Sequence, residues 1–320
     1  MRTILLTLLS ACFSLSLVSQ TNSNPVVLHS SGQVQYFATA GAAPKKVYPG
    51  LQLQVSGKIR CLKGGSAKLL YQGKAYIVSG ARTQDISEVV KANVKATQIG
   101  FTGRFFNFIT ESLQESESTE KLQKHHRRYM GKNSASIKGF SSKQFEIVTP
   151  LVLTGKLPAA KVTFKWRNTT GSGPYTFQLC DESGNIVASL LAKDTLVTLD
   201  LEELAMNFEA EYTWQVTRND GKSSSAPMPF ELTRQTQEKA QKDLEIVSSC
   251  DDCSDSEKRL MLAYFLEQEN QFYQAADIYN AMLEKDPNST LTRRLFAAFM
   301  ARMNQLSEGE KLINSIPEEK

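Results

Sequence analysis

The residues best suited to chemistry in this 320-residue chain are few: five cysteines and three histidines. Two cysteines are close enough in sequence to act together, Cys250 and Cys253, with two aspartates between them. A Cys-x-x-Cys pair does redox work when it follows a strand, opens a helix and keeps one sulfur as thiolate. Here the run follows a stretch rich in Lys and Glu that reads as helix, and negative charge beside a thiol raises its pKa. The pair therefore reads as a structural disulfide at a helix–helix corner. A zinc site would need two further ligands, and no histidine follows residue 126. His125 and His126 are adjacent, so on a helix they diverge by about 100° and do not share one metal. The chain has no G-x-S-x-G elbow, P-loop, H-E-x-x-H or strand-linked G-x-G-x-x-G. Gly171-Ser172-Gly173 reads as a hairpin turn. Carboxylate pairing is spatial, so acid–base chemistry is not legible in the sequence alone. No catalytic residue, metal or cofactor is assigned, and the expectation is a binding protein rather than an enzyme.

The elements that would carry such a function come in blocks. Hydrophobic residues make up 41% of the chain, enough for several cores. Lys and Arg number 37 against 33 Asp and Glu, a net charge of +4, too mild to argue for nucleic acid or an anionic membrane. Arg2 and the apolar run 4–18 fit a cleaved export signal ending near residue 20. The alternative is lipidation, since Leu9-Ser10-Ala11-Cys12 has the form of a lipobox that would leave an acylated Cys12. No later stretch is apolar enough to span a bilayer as a helix. The mature chain is expected in the periplasm or at the outer membrane, where peripheral association would suffice.

Residues 25–95 read as an all-β module. Short β-prone runs at 26–28, 33–37, 51–55, 67–71 and 75–78 alternate with Gly32, Pro49-Gly50, Gly57, Gly64-Gly65, Gly73 and Gly80. The "PGLQL" segment followed by "GGSAKLLYQGKAYIVSG" resembles the FecR domain of Gram-negative envelope proteins. Only the β-module is implied, because an export segment rather than a membrane helix precedes it. Residues 96–148 read as a charged helical insert. Phe101, Phe105, Phe108, Ile109 and Leu113 form an apolar stripe, followed by Glu117/Lys121 and Glu120/Lys124 pairs. The stripe is expected to dock on the neighbouring β-module rather than on a membrane, since acidic and basic residues alternate there.

Residues 149–233 show strict alternation in three places: Val162/Phe164/Trp166, Tyr175/Phe177/Leu179 and Tyr212/Trp214/Val216. Seven strands in a two-sheet sandwich are expected. The segment resembles a fibronectin type III, immunoglobulin-like domain, which implies that Trp166 and Tyr212 are packing residues. Residues 234–320 are helical, and the frame 256–289 resembles a tetratricopeptide repeat. Small Ala263 and Ala275, Tyr279 and terminating Pro287 stand at its spacing, and a second frame starts at Thr290 with Phe296-Ala297 in the paired positions. The resemblance implies a concave partner-binding face made by Leu260, Tyr264, Glu267, Gln268, Arg294, Ala298 and Arg302, suited to a helix or extended peptide. The same surface could instead dock on the sandwich. The expected fold class is thus multidomain β plus α, and the expected function a non-enzymatic scaffold for envelope proteins. A sensor relaying a ligand to a membrane partner, or a glycan-binding module, are the alternatives.

Overall fold

The structure is a computed structural model that describes residues 24–91, 101–132, 145–150, 155–169, 171, 173–234 and 253–317. The export signal, Cys12, the helix read at 235–249 and Cys250 lie outside the described residues. β-Sheets occupy the N-terminal and central parts and helices the C-terminal part, so the chain is β plus α. No helix among the described residues is long and apolar enough to cross a membrane.

The first module is two small sheets closing on one core. β1 (Val26–Ser31), β5 (Ser66–Tyr71) and β6 (Lys74–Ser79) form one sheet, in the order β1-β5-β6. β2 (Val34–Phe37), β3 (Lys45–Lys46), β4 (Lys58–Cys61) and β7 (Thr83–Asp85) form the other, in the order β3-β2-β4-β7. Val27, Leu53, Ile59, Leu69 and Ile86 fill the space between them. The run 51–55 makes only one bridge, Gln52 to Val26. It is held alongside β1 by loop hydrogen bonds, Leu53 N to Pro25 O at 2.8 Å and Val27 N to Leu51 O at 3.0 Å. β3, β4 and β7 are strands that the sequence reading lacked, although β4 shows exposed–buried alternation. A short helix, α1 (Ile86–Lys91), follows.

The insert is two helices, α2 (Phe101–Glu115) and α3 (Thr119–Lys132), broken at Ser116–Ser118. The Ser116 hydroxyl donates back to the Ser112 carbonyl at 2.7 Å, competing with the backbone ladder where the helix ends.

The sandwich starts earlier in pairing than its sequence pattern and has eight strands. β8 (Phe145–Thr149), β10 (Lys161–Asn168) and β13 (Leu196–Asp200) form one sheet. The other runs β12-β11-β14-β15-β9: β12 (Ile186–Ala192), β11 (Tyr175–Asp181), β14 (Glu211–Arg218), β15 (Met228–Thr233) and β9 (Gly155–Pro158). β9 adds parallel to β15, and β8, which lies in the block expected to be helical insert, is the strand beyond the expected seven. The three alternating triplets all face the core: Trp166, Phe164, Phe177 and Val216 are fully buried. The Tyr212 hydroxyl, at the start of β14, accepts from Asn207 N at 2.6 Å and so ties the corner five residues upstream.

Four helices close the chain as two hairpins: α4 (Asp255–Gln268) with α5 (Phe272–Lys285), and α6 (Thr290–Arg302) with α7 (Leu306–Asn314). Their turns are copies of one another. Asn270 and Asn304, separated by 34 positions, both have φ of 59°, which asparagine tolerates better than most residues. Gln271 N then bonds Leu266 O, and Gln305 N bonds Met300 O, each at 2.8 Å. Ala263, Ala275 and Ala297 are fully buried, letting the helix axes approach.

Candidate functional site

The inner face of the hairpins is made by α4 and α6, and helix α2 lies in it. Tyr264 of α4 meets three rings of the α2 stripe, with centroids 5.4 Å from Phe101, 5.9 Å from Phe105 and 4.8 Å from Phe108. On α6, the Arg294 guanidinium donates to the Leu113 carbonyl near the end of α2. Arg302 stands 4.9 Å over the Phe108 ring, donates to Ser112 Oγ at 3.3 Å and pairs with Glu267 at 2.7 Å. The other oxygen of Glu267 accepts from Tyr279 at 2.9 Å. Burial pushes the Glu267 carboxyl above its usual value, against the pull of Arg302 and Tyr279. Burial also raises the Tyr264 and Tyr279 phenols.

Of the seven residues expected on a partner-binding face, Leu260, Tyr264, Glu267, Arg294 and Ala298 are buried, and Arg302 nearly so; Gln268 alone is exposed. The structure does bring them together. Tyr264, Arg294 and Arg302 of this set contact the chain's own α2. α2 is covered on both sides, because Phe105 and Phe106 share one core with Val26, Leu28 and Leu70 of the first β-module. Docking on the β-module, the expected role of the stripe, is thus half of what α2 does.

Two further contacts fasten the first module to the helices. Lys68 of β5 pairs with Glu257 of α4 at 2.9 Å, both side chains almost wholly buried. Glu257 also closes the cap of α4: Ser254 N donates to its carboxylate at 2.9 Å, and Glu257 N donates to Ser254 Oγ at 3.3 Å. The Ser-x-x-Glu spacing at 254–257 carries that cap signal; nothing local announces Lys68. Gly50, with φ of 92°, lies against the first turn of α6, where an added Cβ would stand 2.6 Å from Leu291 N. Glycine there serves both the turn and the close approach.

The α3 helix packs Leu122 against Ala297 and Ala301 of α6. Its histidines take different partners, His125 Nδ1 with Glu115 at 2.7 Å and His126 Nε2 with Asn304 at 3.0 Å. The sandwich seats on the two inter-helix turns. Lys156 N donates to Asn270 O at 2.8 Å, Gln305 Nε2 to Ile147 O at 2.8 Å, and Arg167 pairs with Glu308 at 2.9 Å. Trp166 and Tyr212 are core residues.

Cys253 is disulfide-bonded while Cys61 and Cys180 carry free thiols, so its partner lies outside the described residues. Burial raises the Cys61 thiol. Among the described residues no cluster of His, Cys, Asp or Glu is arranged to hold a metal. An open recess of about 280 Å³ lies where β1 meets the ends of α4 and α5, lined by Leu28, His29, Asp255, Arg259, Lys285 and Asp286 among others.

No family model matches the chain, and no curated protein matches it. Solved structures do, at low scores. The fibronectin(III)-like modules of Clostridium thermocellum CbhA are 8% identical over 29% of this chain and 98% of theirs, with a TM-score of 0.22. A Faecalibacterium prausnitzii beta-glucuronidase is 19% identical over 28% of this chain, with a TM-score of 0.20, and this chain spans 14% of its length. A beta-1,2-glucanase from Parabacteroides distasonis is 9% identical over 53% of this chain and 35% of its own, with a TM-score of 0.20. At these scores the matches say nothing about activity.

Proposed function

We propose that this protein is an exported, non-enzymatic scaffold that holds binding modules in fixed relation for other proteins of the cell envelope. In this reading a FecR-like β-module, a fibronectin type III-like sandwich and a tetratricopeptide-like pair of hairpins are fused into one body by α2. The observation that carries the reading is how the buried ionisable groups of the helices are used. Lys68 with Glu257, and Arg302 with Glu267 and Tyr279, each join one element to another. Desolvated pairs of this kind fix geometry more than they add stability, and fixed geometry is what a scaffold needs. Because α2 fills the inner face, a partner meets the hairpins elsewhere. The recess beside His29, Arg259 and Lys285 offers both charge signs and an apolar floor, the makings of a protein contact rather than a polyanion site.

Crosslinking of intact envelopes followed by mass spectrometry tests the proposal. A scaffold gives a stable set of protein partners that does not change with added small molecules, and Arg259→Glu with Lys285→Glu depletes that set. Partners that come and go with a ligand would make the protein a sensor. Recovery of polysaccharide in place of protein would make it a glycan-binding module.

A further inference from the structure

The side of the sandwich away from the helices is open at an edge strand. β12 ends its five-stranded sheet and, among the described residues, pairs only with β11, so one row of its backbone N–H and C=O groups faces outward. Edge strands are usually blunted by charge, proline or a covering segment. β12 reads Ile-Val-Ala-Ser-Leu-Leu-Ala, with neither charge nor proline. Ile186 is 57% exposed, Leu191 66% and Leu190 39%, and Leu196 on the neighbouring edge strand β13 is 47% exposed. These four are among the few large apolar side chains that the described structure leaves in water.

We propose that β12 is a homodimer edge, pairing antiparallel with β12 of a second copy about a two-fold axis through Ser189. The sequence is self-complementary in that register. Ser189 meets itself, Ala188 meets Leu190, Val187 meets Leu191, and Ile186 meets Ala192. Each large side chain thus stands opposite a smaller one, so both faces of the new ladder interlock without overpacking. The ends are complementary in charge. Lys193, just past β12, comes opposite Asn185 in the turn that carries Asp181 and Glu182, and the two-fold repeats the contact at the other end. The Asp181 carboxylate holds that turn in shape, accepting from Ser183 N at 2.9 Å and Asn185 N at 2.8 Å. Asp194 lies in the bend after the pairing. The product is a continuous ten-stranded sheet with the hairpins of each copy at its two far ends. A two-fold contact of this kind is closed, so it stops at the dimer.

The test is sedimentation of the full chain at micromolar concentration. The expected mass is that of a dimer, falling to a monomer in Ser189→Lys, which sets like charges face to face on the axis. Ser189 is exposed, so this variant keeps its thermal unfolding midpoint. Ser189→Cys gives a disulfide-linked dimer on a non-reducing gel, since directly opposed residues have Cβ atoms about 5 Å apart. Leu191→Cys does not, because the two copies of residue 191 are about four residues out of register, roughly 13 Å apart. A monomer at every concentration overturns the proposal and leaves the edge for a partner's strand. A dimer that survives Ser189→Lys, or crosslinking at Leu191→Cys in preference to Ser189→Cys, also overturns it.

Discussion

Arg302 touches three elements at once: the Phe108 ring and Ser112 of α2, Glu267 of α4, and its own helix α6. Removing one member of a buried pair strands the other, so Arg302→Met should cost about 3–5 kcal/mol in denaturant unfolding. The double variant Glu267→Leu with Arg302→Met should cost less than the sum of the two singles, as a double-mutant cycle measures. The raised pKa of Glu267 has a pH consequence. As pH rises past the ordinary carboxylate value, about 4.3, the unfolded chain ionises before the folded one. The folded state then holds the extra proton, and stability falls with pH until Glu267 ionises in place. Relative to Glu267→Gln, the wild type should therefore lose stability as pH is raised from about 4 toward neutrality. Gly50 is the other decisive residue. Gly50→Ala imposes a left-handed backbone on alanine and presses on the first turn of α6, and should cost on the order of 1–3 kcal/mol.

Helix α2 is the element on which the arrangement turns, since it carries apolar side chains toward the β-module and toward the hairpins. Phe105→Ala should cost about 3–5 kcal/mol, as large-to-small core changes do. Both tryptophans of the chain, Trp166 and Trp214, sit in the sandwich core, so their fluorescence reports that module alone. In Phe105→Ala the far-ultraviolet helical signal should unfold at lower denaturant while the tryptophan transition stays in place. Trp166→Ala should do the reverse, with a similar loss of about 3–5 kcal/mol read from Trp214. Coincident shifts in both probes for both variants would mean that the sandwich and the helical unit unfold together.

At the level of the molecule, the first β-module, α2 and the hairpins share one core, and the sandwich is seated beside it. Sequence blocks suggest that a chain ending at Thr233 would keep both β-modules folded, each on its own core. The structure changes that expectation for the first module. Without α4 and α6, the stripe of Phe101, Phe105 and Phe108 loses its cover and Lys68 loses Glu257. The shortened chain should keep native tryptophan fluorescence yet bind a hydrophobic dye and lose protection of α2 in hydrogen exchange. Full protection of α2 in that chain would show that the β-module alone supports it.

Local chemistry was readable in the sequence. Alternation at Phe164 and Trp166 set the sandwich faces, because strand side chains have a period of two whatever lies beyond. Small residues at Ala263, Ala275 and Ala297 set the hairpins, because only small side chains let helix axes come close. The buried positions of Trp166, Tyr212 and Tyr279 follow from the same local rules. Pairing between distant segments was not readable. Glu257 announces a helix cap three residues from Ser254, but its bond to Lys68 crosses most of the chain. Residues 51–55 alternate like a strand yet run beside β1 with a single bridge, since partners rather than pattern decide a ladder. Helical spacing placed Tyr264, Arg294 and Arg302 on one face of the hairpins and named no helix of the chain for it. That the helix is α2 was decided by tertiary structure alone, because many amphipathic stripes fit an apolar groove and only the folded chain holds one of them there at high effective concentration.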